Sequence, residues 1–383
     1  MPPIRLLFLS FWIAAQFFHS ATVVWAAYSN PILKVLLFRS SDTVTLRNAH
    51  GLRGGESLPG GPENRSIEVR RAGTNRLIVN GRHWVDGALR LMGKGTIQVV
   101  KAGRRTGRRY HGTIEIRPYP RGVYVMNHVP TETYLDGVLN AEISTQWHVE
   151  VVMAQAIIAR TYALFKRKAR VGKWWHLTAG NQDQHYMGAN IADREGKRAI
   201  RDTRGLVVSY RGRLAQTFYH SNCGGVTEDP VALWRFSLPY LKVKIVPYGQ
   251  DDPRYSWQHT MNQWDIRRVL KKARLNRKGR VREIHVTDRT ESNRAAELLF
   301  VGDHGDETMP AAQFRRLAGY DKVQSLLFDV TKTSDGFHFA GYGNGHGVGL
   351  CQWAAKEMAE SGYDYTDILH FFYDSVRIQL YNG

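Results

Sequence analysis

The stretch from about His148 to Lys168 constrains this chain more than any other. Val152, Ala156, Ala159 and Ala163 recur there on one helical face. An alanine face has no long side chains to bridge a gap, so whatever covers it must press close to the helix backbone. The spacing therefore predicts a long helix packed tightly against another element. On either side the pattern is short and β-like. Lys34–Phe38, Thr43–Leu46, Ile67–Val69 and Thr113–Ile116 are separated by Gly and Asn turns such as Asn80-Gly81. After Gly205 the chain returns to strands, interrupted by a basic helix and closed by a helix near Gln352 to Ser361. The expected fold class is α+β, rich in β-structure, with the packed helix following a loop that carries Glu142.

The division read from these patterns is a leader over 1–26, a β-rich part over 27–128 and a second part over 129–383. A basic insertion lies within the second part, near 262–300. With 43% hydrophobic and 23% charged residues in 383, the chain has the balance of an ordinary globular protein. That composition excludes a disordered tail protein, a collagen-like fibre and a polytopic membrane protein. The leader combines Arg5, an apolar run from Leu6 to Phe18 and the small-x-small sequence Val24-Trp25-Ala26. It reads as a secretory signal, the alternative being an uncleaved anchor. The expected location is outside the cytoplasm, in the periplasm or cell envelope.

The formal charge is +19. It is concentrated in Lys101–Arg109 and in Arg267–Arg282. Outside the cytoplasm the polyanions on offer are wall polymers, stem-peptide carboxylates and anionic lipids, and no nucleic-acid-binding motif is present. The second run, beginning Asp265-Ile266-Arg267-Arg268-Val269-Leu270, reads as a capped amphipathic surface helix.

Both cysteines sit in Gly-rich, His-bearing segments, His220-Ser221-Asn222-Cys223-Gly224-Gly225 and Gly345-His346-Gly347-Val348-Gly349-Leu350-Cys351. In an exported chain a Cys223–Cys351 disulfide is favoured. A zinc site built from His220, Cys223, His346 and Cys351 is the less favoured alternative. No other cofactor is indicated.

Glu142 lies between apolar neighbours just before the packed helix, where desolvation would raise its pKa and suit it to general acid work. The alternative is a first-turn Glu favoured by the helix dipole. Arg160, within the helix, is a candidate for holding a carboxylate or orienting substrate, or else a structural ion pair. From Gly341 to Gly349 every second residue is glycine. Such a run lets backbone approach a bulky ligand or a neighbouring strand. His346 within it, with Asn344 and Gln352, offers polar groups to a cleft.

Taken together, Gly137–Glu142, Ala154–Leu164, His220–Gly225 and Gly345–Gly349 with Gln352-Trp353 resemble, in order, the motifs of the stage II sporulation protein D family. The run-in Arg109–Gly112 and Val129–Leu135 resembles it too, so the likeness extends from about Val35 to Tyr381. The resemblance implies a peptidoglycan lytic transglycosylase that cleaves the MurNAc–GlcNAc bond and leaves a 1,6-anhydro-MurNAc end, with Glu142 as its single acid–base. It implies glycan strands as the partner, often stripped of stem peptides, and an amidase as a second candidate partner. Arg160, His220, Asn222, His346 and Gln352 are the expected substrate contacts. Three departures stand out: the Cys-x-x-x-x-x-Cys segment of metal-bearing relatives is replaced by cysteine-free His176–Tyr186, Ile143-Ser144 stands where Met-Pro is usual, and the Arg267–Arg282 insertion does not align with the family pattern. Two rival readings are a non-catalytic wall-binding protein or amidase enhancer, and a zinc hydrolase.

Overall fold

In the computed structural model, residues 28–53, 56–57, 66–189, 191–275 and 279–383 are described. The expected leader lies outside them. Among the described residues no helix is long and apolar enough to cross a membrane.

The N-terminal part is two sheets sharing one core. In the first, Ile32–Ser40 runs antiparallel to Gly122–Pro130, which pairs in turn with Thr113–Tyr119. In the second, Val44–Arg47 lies between Ile97–Lys101 and Ser66–Arg71. Period-2 alternation turns Leu33 and Val35 of one sheet, and Val44 and Leu46 of the other, into the same interior. Asn80 and Gly81 both have positive φ, 49° and 70°, at the tip of the hairpin joining Arg76–Val79 to His83–Asp86. The Arg82 amide closes onto the Val79 carbonyl at 3.1 Å, making a tight turn within a three-residue connection, and an Asn-Gly pair reaches two positive φ values with little strain.

Pro130 ends the sheet and starts the helical layer: Thr131–Asp136, the single turn Leu139–Glu142, then Val149–Ala169. The His148 ring accepts the Glu150 amide at the start of the long helix, and Lys166, Arg167 and Lys168 face its negative C-terminal end. Between Val151 and Leu164 almost every side chain is buried, so this helix is enclosed on all sides rather than amphipathic. Ala156, Ala159 and Ala163 are fully buried. The helices Arg194–Asp202, Gln352–Glu360 and Tyr365–Phe372, with the strand Leu206–Tyr210, close around it. The fold is α+β and rich in strand, as the sequence indicated.

The basic insertion is larger than expected. The described residues of 256–342 form two three-stranded sheets and two helices around a core of their own, including Ile266, Val269, Leu298, Phe300, Phe314 and Phe339. Its basic helix, Gln263–Lys272, is capped by Asn262, whose side chain accepts the Asp265 amide at 2.9 Å. Charge hid this core in the sequence: the basic residues sit on the outer face, over an apolar layer contributed mostly by residues beyond 290. The unit is anchored by Arg294, itself fully buried. Arg294 Nη2 donates to the carbonyls of Cys223 (2.6 Å) and Val226 (2.9 Å), and Nη1 to Ser292.

Candidate active site

Glu142 is the last residue of its single-turn helix, not a first-turn residue of the long helix, so the dipole reading does not apply to it. Glu150 takes that place. The half-buried Glu142 carboxyl accepts the His185 amide at 2.6 Å and a hydrogen bond from the Tyr219 hydroxyl. Burial raises its pKa above the carboxylate norm, opposed by the His185 amide and charge and by the Tyr219 hydroxyl.

The Tyr219 hydroxyl is itself oriented. Gln184 is buried, and its Nε2 donates to the Ala159 carbonyl (3.3 Å) and to the Tyr219 oxygen (3.1 Å). Its Oε1 accepts the Tyr134 hydroxyl at 3.0 Å. The Ala159 carbonyl fixes which end of the amide is the donor, so Tyr219 receives a hydrogen from Gln184 and must direct its own elsewhere. Glu142 is the acceptor.

Asp183, two residues before His185, is a carboxylate of another kind. It is held by Lys166 at 3.0 Å, by the Thr178 amide and hydroxyl, and by the Tyr162 hydroxyl at 3.1 Å. Every lone pair is engaged, which leaves it no vacancy for a reacting water.

From Tyr162 an aromatic path runs outward. Tyr162 meets Phe218 edge-on, Phe218 lies 4.4 Å from Trp234 between ring centroids, and Trp234 stacks on Phe236 at 14°. Trp234 and Phe236 are 36% and 37% exposed, a flat apolar surface of the kind sugar rings stack on. His346 packs edge-on to Trp234, its pKa pushed down to about 3 by burial and by Arg315 and Arg294, so the ring is neutral.

The alternating glycines have a structural reason. Gly343, Gly345, Gly347 and Gly349 all have positive φ. A Cβ on them would meet the Gly224 amide, the His220 side chain, the Arg294 guanidinium and the Phe218 carbonyl, each at 2.7 Å or less. They hold the second motif against the first and against the insertion, and no ligand need fit there.

A family described as Stage II sporulation protein matches residues 119–210, the span holding Glu142 and the long helix. An uncharacterized protein of Brachyspira hyodysenteriae is 30% identical over 277 residues, covering 72% of this chain and 74% of its own length. Stage II sporulation protein D of Bacillus subtilis is 24% identical over 290 residues, covering 69% and 79%. The chain belongs to the stage II sporulation protein D family. The Bacillus subtilis amidase enhancer is 27% identical over 294 residues, covering 64% of this chain but only 40% of the enhancer. A second family, Domain of unknown function (DUF8618), matches residues 241–349 and so takes in the insertion.

The structure places most of the expected substrate contacts in the interior. Arg160 is fully buried in a bidentate pair with Glu132, both N···O distances 2.8 Å, and also donates to the carbonyls of Leu206 and Ile200. Asn222 is buried, bonded to Gly249, Asp252 and Gly224. Gln352 is buried and donates to Gln155 at 3.3 Å. All three side chains are buried, with their polar atoms engaged inside the protein. His220 is buried as well and turns inward toward the cysteines. Only His346 keeps partial exposure beside the aromatic surface.

Cys223 and Cys351 are brought together as expected, but as two buried free thiols rather than a disulfide. His220 joins them in one cluster. His346 does not, because its Nδ1 accepts the Val348 amide at 3.0 Å and its ring also bonds to the Tyr219 backbone.

The residues that sequence reasoning missed, Tyr219, Gln184, His185 and Tyr134, all lie within or beside quoted segments. Tyr219 immediately precedes the His220 motif, and Gln184-His185 falls in the segment noted only for lacking cysteine. No periodicity marks them, because their role comes from converging on Glu142.

Proposed function

We propose that this protein is an exported, cell-wall-acting enzyme, a peptidoglycan lytic transglycosylase with Glu142 as its single acid–base. The observation that carries the reading is the carboxyl of Glu142. It is half-buried, raised in pKa, and oriented by the Tyr219 hydroxyl and the His185 amide.

The protonated carboxyl donates to the glycosidic oxygen as the bond to MurNAc C1 breaks. The resulting carboxylate takes the proton of the MurNAc C6 hydroxyl as that oxygen closes on C1. One carboxyl is returned to its starting state, and water is not consumed. Two-carboxylate hydrolysis would need a second group to activate water. Asp183, with all its lone pairs engaged, does not fit that role.

The test is mass spectrometry of products from intact and from amidase-treated peptidoglycan, with Glu142→Gln in parallel. Fragments one water lighter than hydrolysis products, absent with the variant, support the reading. Hydrated fragments overturn it. A second reading draws on the relative named an amidase enhancer: binding to the wall or to an amidase without glycan cleavage. It would be supported by wall binding, unchanged in Glu142→Gln, with no fragments from either substrate.

A further inference from the structure

His220, Cys223 and Cys351 are each fully or nearly buried, and one ring nitrogen and the two sulfurs all lie within 4.8 Å of one another. They converge because Tyr219–His220 pairs in parallel with Leu350–Cys351, while the Cys223 amide, three residues on, donates to Cys351 Sγ at 3.2 Å. The His220 ring is fixed in one tautomer. Its Nδ1 lies 3.1 Å from the Val348 carbonyl, which can only accept, so Nδ1 carries the hydrogen and Nε2 a bare lone pair. That Nε2 is buried without a hydrogen-bond partner.

We propose that His220, Cys223 and Cys351 together bind one thiophilic metal ion of the zinc class, which ties the Tyr219–His220 strand to the start of the Gln352–Glu360 helix.

Three features favour an ion over a disulfide. A sulfur–sulfur bond would satisfy both cysteines yet leave the buried His220 lone pair stranded. A metal engages all three donors at once. Second, backbone amides already point at the sulfurs: Cys223 N–H at Cys351 Sγ (3.2 Å), Gly225 N–H at Cys223 Sγ and Ala354 N–H at Cys351 Sγ. Amides placed this way stabilise thiolate charge, the usual surroundings of metal-bound cysteine. Third, two thiolates and a neutral imidazole are the donor set of zinc and its soft neighbours. Binding replaces the two thiol hydrogens, which leave as protons, so a divalent ion and two thiolates together are neutral. His346, with both nitrogens engaged, is not a ligand.

The ion would act on the fold rather than on substrate. Tyr219 is the residue before His220, so pinning His220 also pins the hydroxyl that meets Glu142.

The test uses the exported protein purified without added metal or chelator. Elemental analysis should find about one zinc per chain, and denaturation without reductant should release two titratable thiols. Titration of reduced, metal-free protein with Co(II) should give sulfur-to-cobalt charge-transfer absorption. Co(II) affinity should fall at least about tenfold in His220→Ala, which keeps both thiols. A denatured protein with no thiols before reduction would mean a disulfide and overturn the proposal. So would wild type that takes up neither Zn(II) nor Co(II) when reduced, or His220→Ala binding Co(II) as tightly as wild type. Should His220→Ala not fold, the wild-type cobalt titration decides alone. None of these readouts depends on glycan cleavage.

Discussion

Tyr219 donates to the carboxyl of Glu142, and the direction of that bond is set from behind by Gln184, whose Nε2 already occupies the tyrosine oxygen as an acceptor. A hydroxyl held this way favours the ionised carboxylate, while burial favours the acid. The two oppose each other at the one residue proposed to alternate between those forms.

Tyr219→Phe removes the hydrogen bond and leaves the burial, so the Glu142 pKa should rise further. The alkaline limb of the activity profile, where the acid form is lost, should move to higher pH, with the rate at optimum reduced about tenfold for loss of orientation. Gln184 keeps its Ala159 carbonyl, so stability should change by about 1 kcal/mol at most. A pH profile that stays in place would remove Tyr219 from the acid–base site.

Glu142→Gln should stabilise the fold at neutral pH. A carboxyl whose folded pKa lies above its ordinary value of 4.5 binds more protons folded than unfolded, so its contribution to stability is full below 4.5 and is lost as pH rises through the folded value. The neutral amide escapes that loss. The expected gain is on the order of 1 kcal/mol at pH 7, shrinking to nothing near pH 4. Melting curves at the two pH values check it, and a variant less stable than wild type at pH 7 contradicts it.

Arg160→Met should destabilise by about 3–5 kcal/mol, because it strands the buried Glu132 carboxylate. Adding Glu132→Leu should recover much of the loss. Denaturant titration of both variants distinguishes this ion pair from a substrate contact, which would alter KM at unchanged stability.

Trp234→Ala should weaken binding to glycan strands about tenfold, with a fall in melting temperature as well, since the ring is 36% exposed but also packs on Phe218 and Phe236. Equal affinity in a sedimentation assay would move the sugar-binding surface elsewhere.

Arg294→Met should loosen the 256–342 unit, which loses its donors to the Cys223 and Val226 carbonyls at a cost of about 2–4 kcal/mol. Calorimetry should then show two transitions, one for each core. A single unshifted transition would mean that the apolar contacts alone hold the unit.

The central helix was legible because a face of alanines admits only close neighbours, and the Asn80-Gly81 turn because few other dipeptides reach two positive φ values without strain. Glu142 was legible from its motif. Its partners were not: Gln184 and Tyr219 lie 42 and 77 positions further along the chain, and neither belongs to a periodic pattern. For Arg160 the sequence left two readings, a substrate contact and a structural ion pair, for a similar reason. A guanidinium in a buried helix implies a partner, but only the packed structure supplies Glu132, 28 positions earlier, rather than a ligand.

Local pattern, then, determined the α+β class, the buried helix and the hairpin turn, and it pointed to Glu142 as the candidate acid, because spacing and backbone preference act over a few residues. Tertiary structure decided which polar groups face one another. It made Arg160, Asn222 and Gln352 interior supports, gathered His220, Cys223 and Cys351, and aimed Tyr219 at Glu142. The physical reason is that the worth of a buried donor or acceptor depends on the partner it meets, and these partners are brought together only by folding.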